Sequence, residues 1–298
     1  MSHPALAFIG FGEAGQALAG GFRSEGVAPI AAWDILFPDA HGGLRLRAAA
    51  ERLGVRMGRD APDAVRGADI VFSAVTAASN LEAAGQAAPG LSGAQFYVEL
   101  NSVSPDRKRA AKIVGSRARF VGMAVMAPVH PLRHKTPVLV SGPAAADIVP
   151  LLARCGMDVQ EVGNDVGAAA AIKMVRSVMV KGLGALTQEC FLAARRAGVE
   201  DRIIASLTQS FPMIDWAKFA DYHLERMATH GLRRAAEMRD VCETLESLGV
   251  EPALTRGTVI REQRTGEARL KDKFGGKVPE DRGAVLDALI GQGREPLV

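Results

Sequence analysis

Short apolar runs alternate with helical patterns through the first half of the chain, and then the strand signal stops. Residues 5–9, Ala-Leu-Ala-Phe-Ile, form a continuous apolar run of strand length, and residues 16–22 continue it at a helical period. Further apolar runs at 28–33, 55–57, 69–75, 95–100, 119–125, 138–141 and 157–162 predict strands. Between them lie helical patterns at 39–53, from 61, from 105 to 114 (opened by Pro105) and from 144. Such alternation predicts a largely parallel sheet covered on both faces. From 165 onward only helices are expected: one long helix over 165–196, then 201–207, 213–228, 232–248 and 252–265. The stretch from Lys271 is rich in Gly, Pro and charge and is expected to be loosely ordered.

The first strand runs directly into Gly10-Phe11-Gly12-Glu13-Ala14-Gly15, and a helix follows. The three glycines suit a tight turn, close approach of backbone to a pyrophosphate, and close packing of helix on strand. The helix start adds unpaired N–H groups and partial positive charge where an anion would sit. Asp34 closes the second strand, where a carboxylate meets an adenosine ribose. A 2′-phosphate about 4 Å from that carboxylate would cost about 4 kcal/mol at an effective dielectric near 20, roughly a thousandfold in affinity. No arginine follows at once, so NAD is expected in preference to NADP. The fold class is therefore α/β: a Rossmann-type N-terminal domain over 1–163, and an all-α C-terminal domain over 164–298 led by a long interdomain helix.

Composition narrows the function. Thirty-six basic and 33 acidic residues leave a net charge of +3, with no long basic run and no aromatic–basic interleaving. Nucleic acid is not an expected partner. Short basic clusters occur at Arg107-Lys108-Arg109, Arg195-Arg196 and Arg233-Arg234. The three cysteines, Cys155, Cys190 and Cys242, have no metal spacing and fit a reducing cytoplasm. No His/Asp/Glu spacing matches a metal site, so none is assigned. The first strand begins too early to leave room for a signal peptide, and no apolar stretch is long enough to span a membrane, so a cytoplasmic protein is expected.

Ligands of open α/β sheets bind beyond the carboxyl ends of the strands. Three loops of the first half end there: Val75-Thr76-Ala77, Leu100-Asn101-Ser102-Val103-Ser104-Pro105, and Met126-Ala127-Pro128-Val129-His130-Pro131. Ser104 is the expected helix cap ahead of Pro105. Val75, Thr76 and Asn101 are expected to touch the cofactor, Asn101 and Ser102 the reacting groups, and His130 either substrate or only solvent. On the long helix, Gly167 to Val175 is almost wholly apolar and predicts a buried face, with Lys173 its first cation. Lys173, Ser177, Lys181 and Gln188 fall on one stripe, with Gly184 giving backbone access, and this stripe is expected to face a cleft. A desolvated lysine near a cationic cofactor moves toward neutrality, where a general base works. His230, Arg233, Arg234 and Glu237 occupy adjacent helical turns, able to hold a substrate carboxylate or phosphate, or to form a salt-bridged face.

Together these motifs resemble the β-hydroxyacid dehydrogenase family, which includes 3-hydroxyisobutyrate and 6-phosphogluconate dehydrogenases. The likeness rests on the 10–15 turn, on Asn101-Ser102-Val103-Ser104-Pro105 for the family's Ser-Thr-x-x-Pro loop, and on Ala127-Pro128-Val129 for its substrate loop. It rests also on Gly163-Asn164-Asp165-Val166-Gly167 with Lys173 for its catalytic helix, and on Arg239-Asp240-Val241 for its Lys-Asp-Leu. The resemblance implies Lys173 as general acid/base. The chain departs from the family at His130-Pro131-Leu132, in place of Ser-Gly-Gly, at Arg176-Ser177, in place of an Asn, and at Arg239, in place of a second lysine. These departures resemble a divergent branch similar to phenylserine dehydrogenase-like proteins.

The expected function is NAD-dependent oxidation of a small β-hydroxy acid or β-hydroxy amino acid. Lys173, Asn101 and Ser102 would be catalytic; Gly10, Phe11, Gly12, Glu13, Ala14, Gly15 and Asp34 would hold the cofactor. His130, Ser177, Lys181, His230, Arg233 and Arg239 would contact a carboxylate substrate. The alternatives are an imine or keto reductase on the same fold and a non-catalytic NAD-sensing module. The Ala/Gly-rich long helix is the surface expected to form a homodimer or higher homo-oligomer.

Overall fold

The computed structural model describes residues 3–114 and 117–291. The chain divides into two compact units, Met1–Lys173 and Met174–Val298. The first unit has the predicted alternation. Strand β1 (Leu6–Ile9) leads to helix α1 (Glu13–Ser24), β2 (Ile30–Trp33), α2 (Leu44–Leu53), β3 (Arg56–Met57) and α3 (Ala61–Val65). Then come β4 (Ile70–Ser73), α4 (Asn80–Ala87), β5 (Phe96–Glu99), α5 (Pro105–Val114) and β6 (Arg119–Val125). β7 (Val138–Ser141), α6 (Ala145–Arg154) and β8 (Val159–Glu161) complete it.

The strands form one sheet in the order β3-β2-β1-β4-β5-β6-β7-β8. The first six are mutually parallel, and β7 joins β6 antiparallel. Successive side chains of β1 enter opposite faces: Leu6 and Phe8 join one apolar cluster, Ala7 and Ile9 the other. Chain order reverses about β1, which lies between β2 and β4, and such a switch point opens a crevice at the carboxyl edge. Trp33, Ile9, Ser73, Glu99 and Gly122 form the row just inside that edge.

Helix α7 (Ala168–Ala197) carries the chain into the second unit, whose described residues form helices and no strand. It is followed by α8 (Glu200–Ser210), α9 (Trp216–Ser247), α10 (Ala253–Glu267), α11 (Leu270–Lys273) and α12 (Arg282–Ile290). Two expectations are corrected here. The two helices predicted on either side of Gly231 are one helix, α9. A Cβ on Gly231 would lie 2.5 Å from Glu262 O and 2.6 Å from Gly266 N, so this glycine lets α9 and α10 touch backbone to backbone rather than breaking a helix. The stretch from Lys271 is ordered as far as residue 291, because Val278, Val285 and Leu286 are buried with Phe191, Leu224 and Leu270. The rest of that stretch, 292–298, lies outside the described residues.

Candidate functional site

The glycine turn leaves β1 at the switch point. Gly10 has φ +89, and a Cβ there would lie 2.4 Å from Ala74 O on the neighbouring strand's continuation, so only glycine serves. A Cβ on Gly15 would meet Gly10 O at 2.6 Å, which brings α1 down onto the turn. Gly12 differs: nothing lies within 4 Å of a Cβ built there. The protein itself does not require glycine at that position, and the space a side chain would fill is open for a ligand. The first i→i−4 bond of α1 runs from Gln16 N–H to Gly12 O at 3.0 Å, so the N–H groups of Glu13, Ala14 and Gly15 precede it, at the positive end of the helix. Phe11 contributes no side chain to this cradle. Its ring is fully buried against Phe37, and its N–H donates to Asp34 Oδ2 at 2.8 Å.

Asp34 therefore serves the protein as well as any ribose. Its other oxygen accepts the Leu36 N–H at 3.0 Å, which fixes the carboxylate at the end of β2 beside the glycine turn. Each oxygen retains acceptor capacity for a hydroxyl.

On the other side of β1, β4 and β5 end in Val75, Thr76, Asn101 and Ser102. Val75 is half-buried; Thr76 is exposed and shares a hydrogen bond with Ser79 Oγ at 3.0 Å. Asn101 is buried. Its backbone N–H donates to Glu99 Oε1 at 3.0 Å, and its Nδ2 donates to the same oxygen and to Ser73 Oγ at 3.3 Å. Glu99 Oε2 contacts Lys108 Nζ, which also donates to the carbonyls of Glu99 at 2.6 Å and Met123 at 2.9 Å. Burial pushes Lys108 below its usual range, and its ion pair with Glu99 opposes this. Lys108 is only 1% exposed, so the middle residue of the basic cluster at 107–109 lies in the core. Ser104 is the helix cap expected, accepting the Arg107 N–H at 3.4 Å.

Lys173 reaches this edge. Its Nζ donates to Ser102 Oγ at 2.6 Å. The start of α7 is fixed by four local features. Ser141 Oγ donates to Val166 O at 3.0 Å and accepts the Ala169 N–H at 3.1 Å. A Cβ on Gly122 would meet Val166 O at 2.1 Å, and one on Gly167 would meet Pro105 at 2.9 Å, so both glycines allow contact of the segment with the sheet and α5. Arg109 grips both oxygens of Asp165 at 3.1 and 2.5 Å, which holds that carboxyl below its usual range. The amine is half-buried rather than shut away from water, and this corrects the expectation of full desolvation.

The buried face of α7 is also inverted from expectation. Ile172, Val175, Met179, Leu183 and Leu186 are exposed, whereas Ser177, Lys181 and Gln188 are buried. Within the second unit Lys181 Nζ donates to Glu237 Oε2 at 2.7 Å, and Gln188 Oε1 accepts from Thr265 at 2.9 Å. That part of the polar stripe is packed on α9 and α10, not on an open cleft. Its lysine goes inside because it finds a carboxylate.

The remaining candidates are less closely grouped. His130 is exposed on the loop between β6 and β7. His230 is half-buried on α9. Exposed Arg233 bonds Glu237 at 2.6 Å, and Arg239 bonds Gln263 at 3.0 Å. Buried Arg234 is paired with Glu262 at 2.7 Å, so it belongs to the α9–α10 packing. Burial raises Glu262 above its usual range and Arg234 opposes it. Among the described residues no group of three or more His, Cys, Asp or Glu side chains is arranged to hold a metal ion, and no helix is long and apolar enough to cross a membrane.

Ser73, Glu99 and Lys108 were not anticipated. The available signal was a glutamate ending the otherwise apolar strand Phe96-Tyr97-Val98-Glu99, a position that needs a buried cation.

A doubly wound sheet with a glycine turn at its switch point defines a Rossmann-type dinucleotide fold, here joined by α7 to a helical unit. Comparison with known proteins agrees. Residues 5–101 match the family model described as NADP oxidoreductase coenzyme F420-dependent, and residues 194–264 match a domain of unknown function (DUF1932). A conserved hypothetical protein from Sinorhizobium meliloti 1021 is 39% identical, with 97% of this chain and 96% of that chain covered and a TM-score of 0.78. A conserved protein of unknown function, described as structurally similar to 3-hydroxyacid dehydrogenases, is 30% identical over 90% of this chain and 98% of its own, with a TM-score of 0.73. The Mycobacterium tuberculosis 3-hydroxyisobutyrate dehydrogenase shares the fold at 15% identity, covering 97% of this chain and 99% of its own, with a TM-score of 0.72. The chain belongs to the family of the first two, Rossmann-fold proteins related to the 3-hydroxyacid dehydrogenases.

Proposed function

We propose that this protein is a nicotinamide-dinucleotide oxidoreductase that oxidises a small β-hydroxy acid or β-hydroxy amino acid, with Lys173 as general acid/base and NAD favoured over NADP. The observation that carries the reading is the Lys173–Ser102 contact of 2.6 Å on the sheet edge that also bears the glycine turn. The residues fit a dinucleotide: the open space over Gly12, the first-turn N–H groups of α1 and the carboxylate of Asp34 would hold its pyrophosphate and ribose. Such a cofactor supplies the two-electron acceptor that a carbinol C–H requires. The chain's own part is the proton. Lys173 Nζ takes it from the substrate hydroxyl, while Ser102 Oγ, held by the same amine, orients the oxygen as it becomes a carbonyl.

His130 in the first unit, and Ser177, Lys181, His230, Arg233 and Arg239 in the second, are the residues proposed to contact a substrate carboxylate. The exposed apolar residues of α7, from Ile172 to Leu186, are the surface we assign to a second copy of the chain.

The test is Lys173→Met, assayed with a panel of 3-hydroxy acids and β-hydroxy amino acids near pH 9, on the alkaline side that favours proton uptake by a base. Turnover should fall about 10²- to 10⁴-fold with NADH affinity near wild type. A wild-type protein that binds NADH but turns over nothing in the panel would support a sensing role instead.

A further inference from the structure

The buried pair Glu99–Lys108 lies beneath Asn101 and determines which end of its amide faces the ligand. We infer that this pair fixes Asn101 as a hydrogen-bond acceptor for the carboxamide N–H of a bound nicotinamide ring, making Glu99 and Lys108 positioning residues for coenzyme recognition. The inference rests on the dinucleotide reading above.

Three observations lead there. Asn101 Nδ2 is committed to Glu99 Oε1 and Ser73 Oγ, and Asn101 Oδ1 is buried with no hydrogen-bond partner among the described residues. An ionised carboxylate only accepts, so while Glu99 is charged it must face the NH₂ end and turn the carbonyl oxygen away. Lys108 supplies the opposite charge: Nζ is fully buried, forms an ion pair with Glu99 Oε2, and donates to the carbonyls of Glu99 and Met123. A buried amide oxygen left unpaired is unfavourable, so a donor is expected to meet it when the site is filled.

The position selects the donor. Asn101 leans toward Ser73 on β4, the strand next to β1 and its glycine turn. Asn101 itself follows β5, two strand spacings or about 10 Å from β1 and the pyrophosphate cradle. Ser102, the next residue, is held by Lys173, where the substrate oxygen reacts. Asn101 thus faces the coenzyme, and Ser102 the substrate.

The experiment compares calorimetric affinities for NAD and for its 3-acetylpyridine analogue, in which the carboxamide NH₂ is a methyl group. Wild type should bind the analogue at least about 10-fold more weakly, the loss of one buried hydrogen bond. Lys108→Met removes the charge that keeps Glu99 ionised; a protonated Glu99 can donate, Asn101 can turn over, and the preference should fall below about 3-fold. Because that variant leaves a buried carboxylate uncompensated, Glu99→Leu/Lys108→Met, which removes the acceptor along with both charges and frees Asn101 to turn, gives the same readout with no buried charge. Equal affinity of wild type for the two coenzymes, or an unchanged preference in a folded variant, would overturn the inference while leaving the dinucleotide reading intact. Binding of neither coenzyme by wild type would overturn both.

Discussion

Lys173 donates to Ser102 across 71 residues of sequence, from the start of a helix to the end of a strand, at 2.6 Å. The contact gives a definite consequence for Ser102→Ala. Lys173 loses an acceptor that holds its amine over the sheet edge, and kcat should fall about 10- to 100-fold with NADH affinity unchanged. Steady-state assay and fluorescence titration of the same preparation check it; a loss of NADH affinity with kcat preserved would place Ser102 with the coenzyme instead.

Two of the three glycines of the turn should respond in opposite ways. Gly10→Ala sets a Cβ 2.4 Å from Ala74 O at φ +89, so unfolding free energy should fall by about 2 kcal/mol or more. Gly12→Val meets no protein atom within 4 Å of its Cβ and should melt near wild type, yet bind NADH at least about 10-fold more weakly. Paired thermal melts and coenzyme titrations separate the two effects.

Asp34→Ser removes the charge that opposes a 2′-phosphate, and the NADPH/NADH affinity ratio should rise by up to roughly 10³. The same substitution loses the bonds to the N–H groups of Phe11 and Leu36, so the melting temperature should drop as well, by an amount corresponding to about 1 kcal/mol per bond.

His223 should give the second unit an acid-sensitive stability. Burial, with Arg234 adding to it, pushes its pKa down to about 4 from an ordinary 6.5, and Phe219, Tyr222 and Gly184 pack around the ring. Between those values the unfolded chain binds a proton that the folded one refuses. Stability is therefore lost as pH falls from about 6.5 to about 4, by about 3 kcal/mol in all. Carboxylates add their own acid loss, so the readout is the difference between wild type and His223→Phe in urea unfolding at pH 7 and 4.5. A smaller loss in the variant is expected; equal losses would assign the sensitivity elsewhere.

Gly231→Ala tests the α9–α10 contact. Helix propensity alone favours alanine by about 1 kcal/mol, but its Cβ would sit 2.5 Å from Glu262 O. Net destabilisation of about 1–3 kcal/mol is expected in chemical denaturation. A stabilised variant would show that the helices separate readily.

The first unit was legible because its signals are local. Apolar runs of strand length, the glycine turn and Asp34 at the end of β2 each depend on residues a few positions apart, and periodicity alone places them on one sheet edge. Lys173 stood out in the sequence for a related reason, as the first cation on an apolar helical run. What local pattern could not supply was pairing over distance. The Arg107-Lys108-Arg109 run has the composition of a solvated face, and only the sheet brings Glu99 and the Met123 carbonyl to Lys108 and makes its burial tolerable. Gly231 carries the sequence signature of a helix break, and the approach of α10 turns it into a point of contact. The inward face of α7 was likewise decided by partners: Glu237 and Thr265 give Lys181 and Gln188 a place inside, and the apolar residues opposite remain in water. Local chemistry set the strands, turns and candidate groups; burial of charge was set by tertiary structure, because a buried ion is stable only where a distant partner arrives.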